Sequence, residues 1–473
     1  MLYTYFFGGF PVNRRQVLLV AALAFVITLF EGPSPVAAQS APEIGANASF
    51  AGTWEGKMND YPAITLTIDQ AEGKISGTVL LYFQVGSAIP LLVPHVRDKT
   101  LTFEVPRQKC QVCEEAGPNA KFRMEPNGAS EASLWMMSDQ GVDKPSGPRL
   151  KLIRRNESAS WHDPSKHQTQ FIIVEYGVRI EVLDWGGTGP AVVLLAGSGN
   201  TAHVFDEFAP KLTDFCHVYG ITRRGYGESG HPDTGYTEQR LAEDVLRVLD
   251  SLKVSAPVLI GHSMAGEELT RLGEEHSGRL SGLVYLDATS DPADFPASSP
   301  VYMALYNNLP LAMRGHASPS PSDLKSFQAY RDWQVRSGEA PFPEAELHNQ
   351  YYSNPDGSVG GFRTSPYIHE AVGAGAMKRD YSQIRVPILA FFPSAAAKPK
   401  YEPKDSQERA AIEEFDSATQ AYILRWKKNL QKASGGVRIV DLPGANHYLF
   451  LSNEADVLGE LRAFLRRLNS TAR

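Results

Sequence analysis

The sequence predicts an α/β fold with a mostly parallel eight-stranded sheet and a helical cap insertion, preceded by a small all-β domain. Three observations predict it. Short, alternating, turn-punctuated runs fill residues 47–155. From about residue 170, compact apolar runs alternate with helical patterns to the C-terminus, as in a parallel sheet joined by helices. Between these runs stands Gly261-His262-Ser263-Met264-Ala265-Gly266, a serine among small residues where a strand gives way to a helix.

In chain order, Arg14-Arg15 precede an apolar run from Val17 to Phe30, and Pro33, Pro35 and Val36-Ala37-Ala38 follow. This pattern reads as a signal peptide over 1–38. The run falls short of the roughly 20 residues that a membrane-spanning helix needs, so the expected mature chain is exported, periplasmic or extracellular, and holds no stable membrane span. With 473 residues the chain exceeds one ordinary core. Its 46 basic and 53 acidic residues give a net charge of −7, with no basic field for nucleic acid.

Residues 47–155 form the small antiparallel β domain. Strand patterns occur at Gly52 to Gly56, Ile64 to Ile68, Ile75 to Phe83, Leu101 to Val105, Lys121 to Met124, Ser133 to Met137 and Leu150 to Ile153. Gly73, Asp98-Lys99, Pro126-Asn127-Gly128 and Gly141 supply turns. A barrel or sandwich is expected, and the Gly52-Thr53-Trp54 opening resembles that of lipocalin-like barrels. The domain offers no nucleophile and base, so it is read as a packing or binding appendage and a docking face for a partner. Cys110 and Cys113 pair as a structural disulfide or stay as free thiols, and Cys216 reads as a small buried hydrophobe.

Polar residues 156–169 form a linker, and 170–473 the α/β domain. An antiparallel pair, Phe171 to Glu175 and Arg179 to Asp184, turns at Tyr176-Gly177. Strands follow at Ala191 to Leu195, Cys216 to Ile221, Val258 to Ile260, Leu283 to Leu286, Pro387 to Ala390 and Val437 to Val440, with helices such as Glu238 to Leu252 and Glu454 to Leu468 between them. Residues of about 290–382 interrupt this rhythm with helical patches at Pro321 to Arg336 and Pro343 to Tyr352, long enough for a cap over the sheet's mouth. Tyr302, Leu305, Tyr306, Phe327, Tyr330 and Trp333 suggest that the insertion is packed down and is not a loose excursion.

Chemistry centres on Ser263. A sharp strand-to-helix turn forces positive φ on the serine, and Gly261, Ala265 and Gly266 relieve the crowding that follows. The hydroxyl then projects above the sheet, and the Met264 N–H faces any oxyanion formed there. A serine hydroxyl needs a base, and the base a carboxylate to fix its tautomer. In chain order serine, acid, histidine, one histidine follows the cap: His447, in Leu442-Pro443-Gly444-Ala445-Asn446-His447 after the last strand.

From about residue 170 onward, three motifs in order resemble the α/β-hydrolase family, in its single-domain esterase and peroxidase-like branch: Gly-His-Ser-Met-Ala-Gly at 261–266, Arg224-Gly225-Tyr226-Gly227-Glu228-Ser229, and Gly444-Ala445-Asn446-His447. The resemblance implies a second oxyanion donor just after the third strand, here the Ser198 N–H, with Gly199 as the alternative. Ala196 stands where relatives usually carry histidine, which bears on loop geometry more than on chemistry. Most relatives carry the acid after the strand that here ends at Phe392, but Pro393 to Lys398 hold no carboxylate. Asp287, at the end of the Leu283 to Leu286 strand, matches the position that some members use, with Asp291, Glu402 and Asp405 as alternatives. Arg223 and Arg224 read as loop-bracing ion pairs and His262 as a packing residue. Serine at 263 excludes the nucleophile-aspartate chemistry of dehalogenases and epoxide hydrolases.

The expectation is a serine hydrolase, carboxylesterase-like, acting on a small-molecule carboxylic ester or related acyl substrate, with Ser263, His447 and Asp287 as the triad and Met264 and Ser198 as oxyanion donors. These motifs imply no metal and no organic cofactor. The same acyl-enzyme also serves an acyltransferase or a cofactor-free perhydrolase. A slow-turnover ligand sensor is the reading of another class.

Overall fold

The structure is a computed structural model that describes residues 50–471 apart from 59–60, 72–73, 82–85, 107–118, 139–144, 146–148, 155–160, 290–298, 311–312, 314–317, 338–340, 355, 376 and 395–400. The signal peptide expected over 1–38, the Cys110/Cys113 pair and Asp291 lie outside the described residues.

The N-terminal region contains β1 (Gly52–Met58), β2 (Tyr61–Ala71), β3 (Lys74–Leu81), β4 (Gly86–Ser87), β5 (Ile89–Pro90), β6 (Leu92–Arg97), β7 (Thr100–Val105), β8 (Ala120–Pro126), β9 (Glu131–Met136) and β10 (Leu150–Arg154). All of these but β4 join one antiparallel sheet of order β5-β3-β2-β1-β10-β9-β8-β7-β6. Its two ends, β5 and β6, are separated in the chain by Leu91 alone, whose N–H bonds the Gly77 carbonyl at 3.0 Å. One bent strand therefore closes the sheet into an up-and-down barrel. Trp54, Leu66, Leu101, Phe103, Met124 and Leu152 fill it. The alternation rule misses the bent strand because Pro90 and Pro94 interrupt it and Val93 takes a φ of 47°.

The second sheet is built from β11 (Gln168–Glu175), β12 (Val178–Gly186), β13 (Ala191–Leu195), β14 (His217–Thr222), β15 (Val258–His262), β16 (Gly282–Leu286), β19 (Ile388–Ser394) and β20 (Val437–Pro443), in the order β20-β19-β16-β15-β13-β14-β12-β11. It has a ninth member where eight strands were expected. β4 leaves the barrel and pairs with the outer edge of β11, Ile172 opposite Ser87 and Ile173 opposite Gly86.

Strands β13 to β16, β19 and β20 run parallel, and β12 pairs antiparallel with β14. Successive residues of each central strand enter opposite cores. Val192 and Leu194 of β13 pack in one cluster with Phe450, Val457 and Leu461, while Val193 and Leu195 pack in the other with Val245, Leu249 and Leu269. Burial on both faces explains why these strands read as continuous apolar runs. The flanking helices are α1 (Glu238–Ser251), α2 (Gly266–His276), α7 (Ser406–Leu430), α8 (Leu449–Ser452) and α9 (Glu454–Thr471).

The insertion carries α3 (Pro300–Asn308), α4 (Phe327–Ser337), α5 (Glu344–Gln350), the hairpin β17 (Tyr351–Ser353) and β18 (Val359–Phe362), and α6 (Pro366–Ala374). Phe327, Tyr330, Trp333 and Leu347 join the core cluster of the sheet itself. The helix expected from Pro321 begins only at Phe327. Ahead of it Asp323 accepts hydrogen bonds from the backbone N–H and hydroxyl of Ser320, a local turn that competes with the helix.

Candidate active site

Ser263 directly follows β15 and opens the 3-10 turn Ser263–Ala265, from which α2 continues. Its φ is 54°. The small residues around it answer to particular neighbours. A Cβ on Gly266 would lie 1.7 Å from the Ala288 carbonyl oxygen, so α2 can start here only with glycine. A Cβ on Gly197 would lie 2.8 Å from His262 Nδ1 and 3.0 Å from Ser263 Cβ, so the glycine loop lies directly against Ser263.

Asp287 directly follows β16, with a φ of 48° that Asp tolerates better than most residues. Its turn is held from behind. Arg379 donates to the Ala288 carbonyl at 3.0 Å, and the Tyr381 hydroxyl donates to the Thr289 carbonyl at 3.3 Å. His447 lies in the loop between β20 and α8, and its Nδ1 is 2.7 Å from Asp287 Oδ2. Since the carboxylate accepts this bond, Nδ1 carries the proton and Nε2 keeps its lone pair. His447 and Asp287 are both partly exposed, at 18% and 21% of their side chains, so solvent reaches the pair.

Of the other carboxylates weighed for this position, Asp405 accepts a hydrogen bond from the Glu408 N–H and caps α7, and Glu402 is exposed. His262 is fully buried, and its Nε2 is 3.0 Å from the His447 carbonyl oxygen. Burial first, and then the neighbouring His447, holds its imidazole well below the usual histidine value, so it stays neutral and donates from Nε2. It positions the His447 backbone.

Ser198 and Met264 flank the serine. Ser198 follows β13 in the loop Ala196 to Thr201, and Met264 packs against Tyr226, Ile368 and Val372. The loop is anchored from the insertion by residues that no local pattern signals. Glu346 of α5 is fully buried and accepts from Asn200 Nδ2 at 2.9 Å, the Thr201 N–H at 3.0 Å, the Thr201 hydroxyl, and Gln350 Nε2 at 2.8 Å. Burial pushes its carboxyl up to about 7. Gln350 also donates to the Gly199 carbonyl at 2.9 Å, and the Tyr448 hydroxyl to Asn200 Oδ1 at 3.0 Å, which ties the Ser198 loop to the His447 loop. His369 of α6 reaches the loop from the other side, with Nδ1 3.3 Å from Ser198 Oγ and 3.2 Å from the Tyr226 hydroxyl. Burial, and then Arg223, lowers its basicity, so His369 presents a neutral ring beside the site.

The two arginines are structural. Arg223 pairs with Glu268 and donates to the Ala196 carbonyl at 3.1 Å. Arg224, wholly buried, makes a two-pronged pair with Asp244 at 2.6 and 2.7 Å and a third bond to Glu175. Cys216 is buried and free, and burial pushes its thiol up to about 11.

Known proteins resemble parts of this chain. Over 126 residues the chain is 30% identical to a putative non-heme haloperoxidase of Mycobacterium phage D29, which is 26% of this chain and 44% of that protein. Over 157 residues it is 27% identical to the N-formylmaleamate deformylase of Pseudomonas putida, 32% of this chain and 56% of that one. An esterase of Mycobacterium tuberculosis matches at 31% over 111 residues, 23% and 37% of the two chains. The chain thus spans about half the length, or less, of these relatives. The crystal structure of E-2-(acetamidomethylene)succinate hydrolase superposes on 63% of this chain and 99% of its own, with a TM-score of 0.46 and 17% identity. The model of the family described as "Alpha/beta hydrolase family" matches residues 192–460, more than half of the chain, from β13 through the serine turn and the histidine loop into α9. The chain belongs to the alpha/beta hydrolase family.

Proposed function

We propose that the protein is a serine hydrolase that cleaves a small carboxylic ester or related acyl substrate through an acyl-enzyme. The observation that carries this reading is the 2.7 Å contact between His447 Nδ1 and Asp287 Oδ2, made by a histidine whose carbonyl is tied to the residue before Ser263. His447 Nε2 takes the Ser263 proton as Oγ forms its bond to the acyl carbon. The carbonyl oxygen becomes an oxyanion, and the Met264 and Ser198 N–H groups stabilise it. The carbonyl re-forms as the bond to the leaving oxygen breaks, and His447 gives that oxygen the proton. Water then attacks the acyl-enzyme with the same proton traffic, releasing the acid and restoring Ser263. Asp287 accepts from Nδ1 throughout and stabilises the imidazolium.

An activated serine reacts with a fluorophosphonate, so the test is labelling of the purified protein followed by peptide mapping. The label is expected on the peptide that carries Ser263, with hydrolysis of p-nitrophenyl acyl esters abolished in step. Undiminished hydrolysis by Ser263→Ala would overturn the reading.

A further inference from the structure

The motifs imply no metal, but the fold assembles a second set of chemical groups around the turn that follows the Ser198 loop. Asp163 and His167 stand in the segment that leads into β11. His203 lies in the 3-10 turn Ala202–Phe205, and Asp206 is the residue that ends it. One ring nitrogen or carboxylate oxygen from each of the four lies within 4.8 Å of the others. His203 Nδ1 is 3.0 Å from Asp206 Oδ2 and 3.4 Å from Asp163 Oδ2. His167 has Nδ1 2.9 Å from Asp206 Oδ1 and Nε2 3.6 Å from Asp163 Oδ2. A tetrahedral zinc centre, with bonds of about 2.0–2.1 Å, sets neighbouring ligand atoms about 3.3 Å apart, so one atom from each residue, all within 4.8 Å here, draws in modestly around an ion.

The surroundings fit an ion as well. His203 Nε2 faces Glu181 Oε1 at 3.7 Å, and the Trp185 indole N–H donates to Asp206 Oδ1 at 3.1 Å. A carboxylate behind a histidine ligand and a donor behind a carboxylate ligand are the partners that orient metal-binding side chains. Glu181 is 2% exposed, and its Oε2 has no hydrogen-bond partner, so the cluster holds more buried acceptor atoms than the protein supplies donors for. Metal binding requires both imidazoles to be neutral, and one divalent cation then offsets most of the negative charge that Asp163, Asp206 and Glu181 bring together. An open cavity of about 370 Å³, lined by Pro164, Ser165, Lys166 and Asp206 among others, gives a hydrated ion a way in.

We propose that Asp163, His167, His203 and Asp206 bind one divalent transition-metal ion, Zn²⁺ by the match of two imidazoles and two carboxylates to its preferred ligands. Four protein ligands close the coordination shell, so the ion is structural. It fastens the segment leading out of the barrel to the turn that begins at Thr201, whose hydroxyl accepts from the His203 N–H at 3.3 Å and whose own N–H is held by Glu346. The ion and Glu346 therefore both hold the turn at Thr201, next to the loop that carries Ser198.

The test strips the full-length protein with a chelator, adds Zn²⁺ alone, removes the excess on a desalting column and measures bound metal. About one zinc per chain is expected in the wild type and in Ser263→Ala, with a zinc-dependent rise in thermal midpoint, and at least a roughly tenfold loss of affinity in His167→Ala. Because the His167 side chain is as buried as that of His203, Asp163→Asn, at the more exposed ligand, is the second variant, and it is expected to fold and to bind zinc at least tenfold more weakly. Wild-type protein that retains less than about a tenth of an equivalent overturns the proposal and leaves a proton-balanced ion cluster. Full retention by the double variant Asp163→Asn/His167→Ala also overturns it, because the ion then sits elsewhere.

Discussion

Ser263 and Asp287 occupy matching positions on neighbouring parallel strands. Each directly follows the register pair His262–Leu286, and each holds a positive φ, 54° and 48°. Both strands therefore end in a strained residue at the same height, and the strain is stored beside the proposed chemistry. Gly266 makes the arrangement feasible, because its missing side chain lets the first turn of α2 settle onto the Ala288 carbonyl beside Asp287.

That close approach predicts the cost of filling it. Gly266→Ala brings a methyl to 1.7 Å from backbone oxygen, so helix, acid turn or both must shift. Destabilisation of roughly 3 kcal/mol or more is expected in urea unfolding. Gly278→Ala, where nothing lies within 4 Å, is the control and should change stability little.

Asp287→Asn should leave the fold intact and lower kcat by about 10²- to 10⁴-fold, because an amide favours the wrong imidazole tautomer. Asp405→Asn keeps a capping group on α7 and should leave kcat unchanged. Steady-state kinetics on ester substrates separate the two. An undiminished kcat in Asp287→Asn would point to a different acid.

Ser263→Ala is expected to reduce kcat/KM by at least about 10³-fold with unchanged circular dichroism, since what remains is the oxyanion site and binding alone. Residual activity close to wild type would place the nucleophile elsewhere.

Glu346 predicts a pH effect on stability. Its folded carboxyl titrates near 7, above the ordinary 4.5, so its stabilising contribution is complete below about pH 4.5 and is lost as pH rises through about 7. Glu346→Gln removes this dependence. The stability difference between wild type and variant should move by roughly 3 kcal/mol in the variant's favour between pH 4.5 and 7.5, then level off. Urea unfolding at four pH values reads it, and a pH-independent difference would refute it.

The sequence names Ser263 and His447 from local facts: small residues crowd one, and the other stands alone after the cap. The acid was less legible because several carboxylates follow strands or precede helices. Asp287 touches His447 while Asp405 caps α7, a difference that exists only in three dimensions. Glu346 and His369 left no signal at all. Each sits in the insertion, 145 or more residues from the loop it contacts, on a short helix whose pattern reports only which face is buried. Helix α7 was equally silent, since Leu430 is its one buried residue among those described and it shows little apolar stripe.

Strand β4 gives the barrel a role apart from chemistry. A row of unpaired amides and carbonyls along an outer strand invites a second chain, and Ile172, Ile173 and Val174 make the edge of this sheet apolar. By laying Gly86 and Ser87 alongside Ile172 and Ile173, the barrel acts as a built-in guard against self-association. Loss of that guard should show first as aggregation through β11, while the chemistry in any remaining monomer persists.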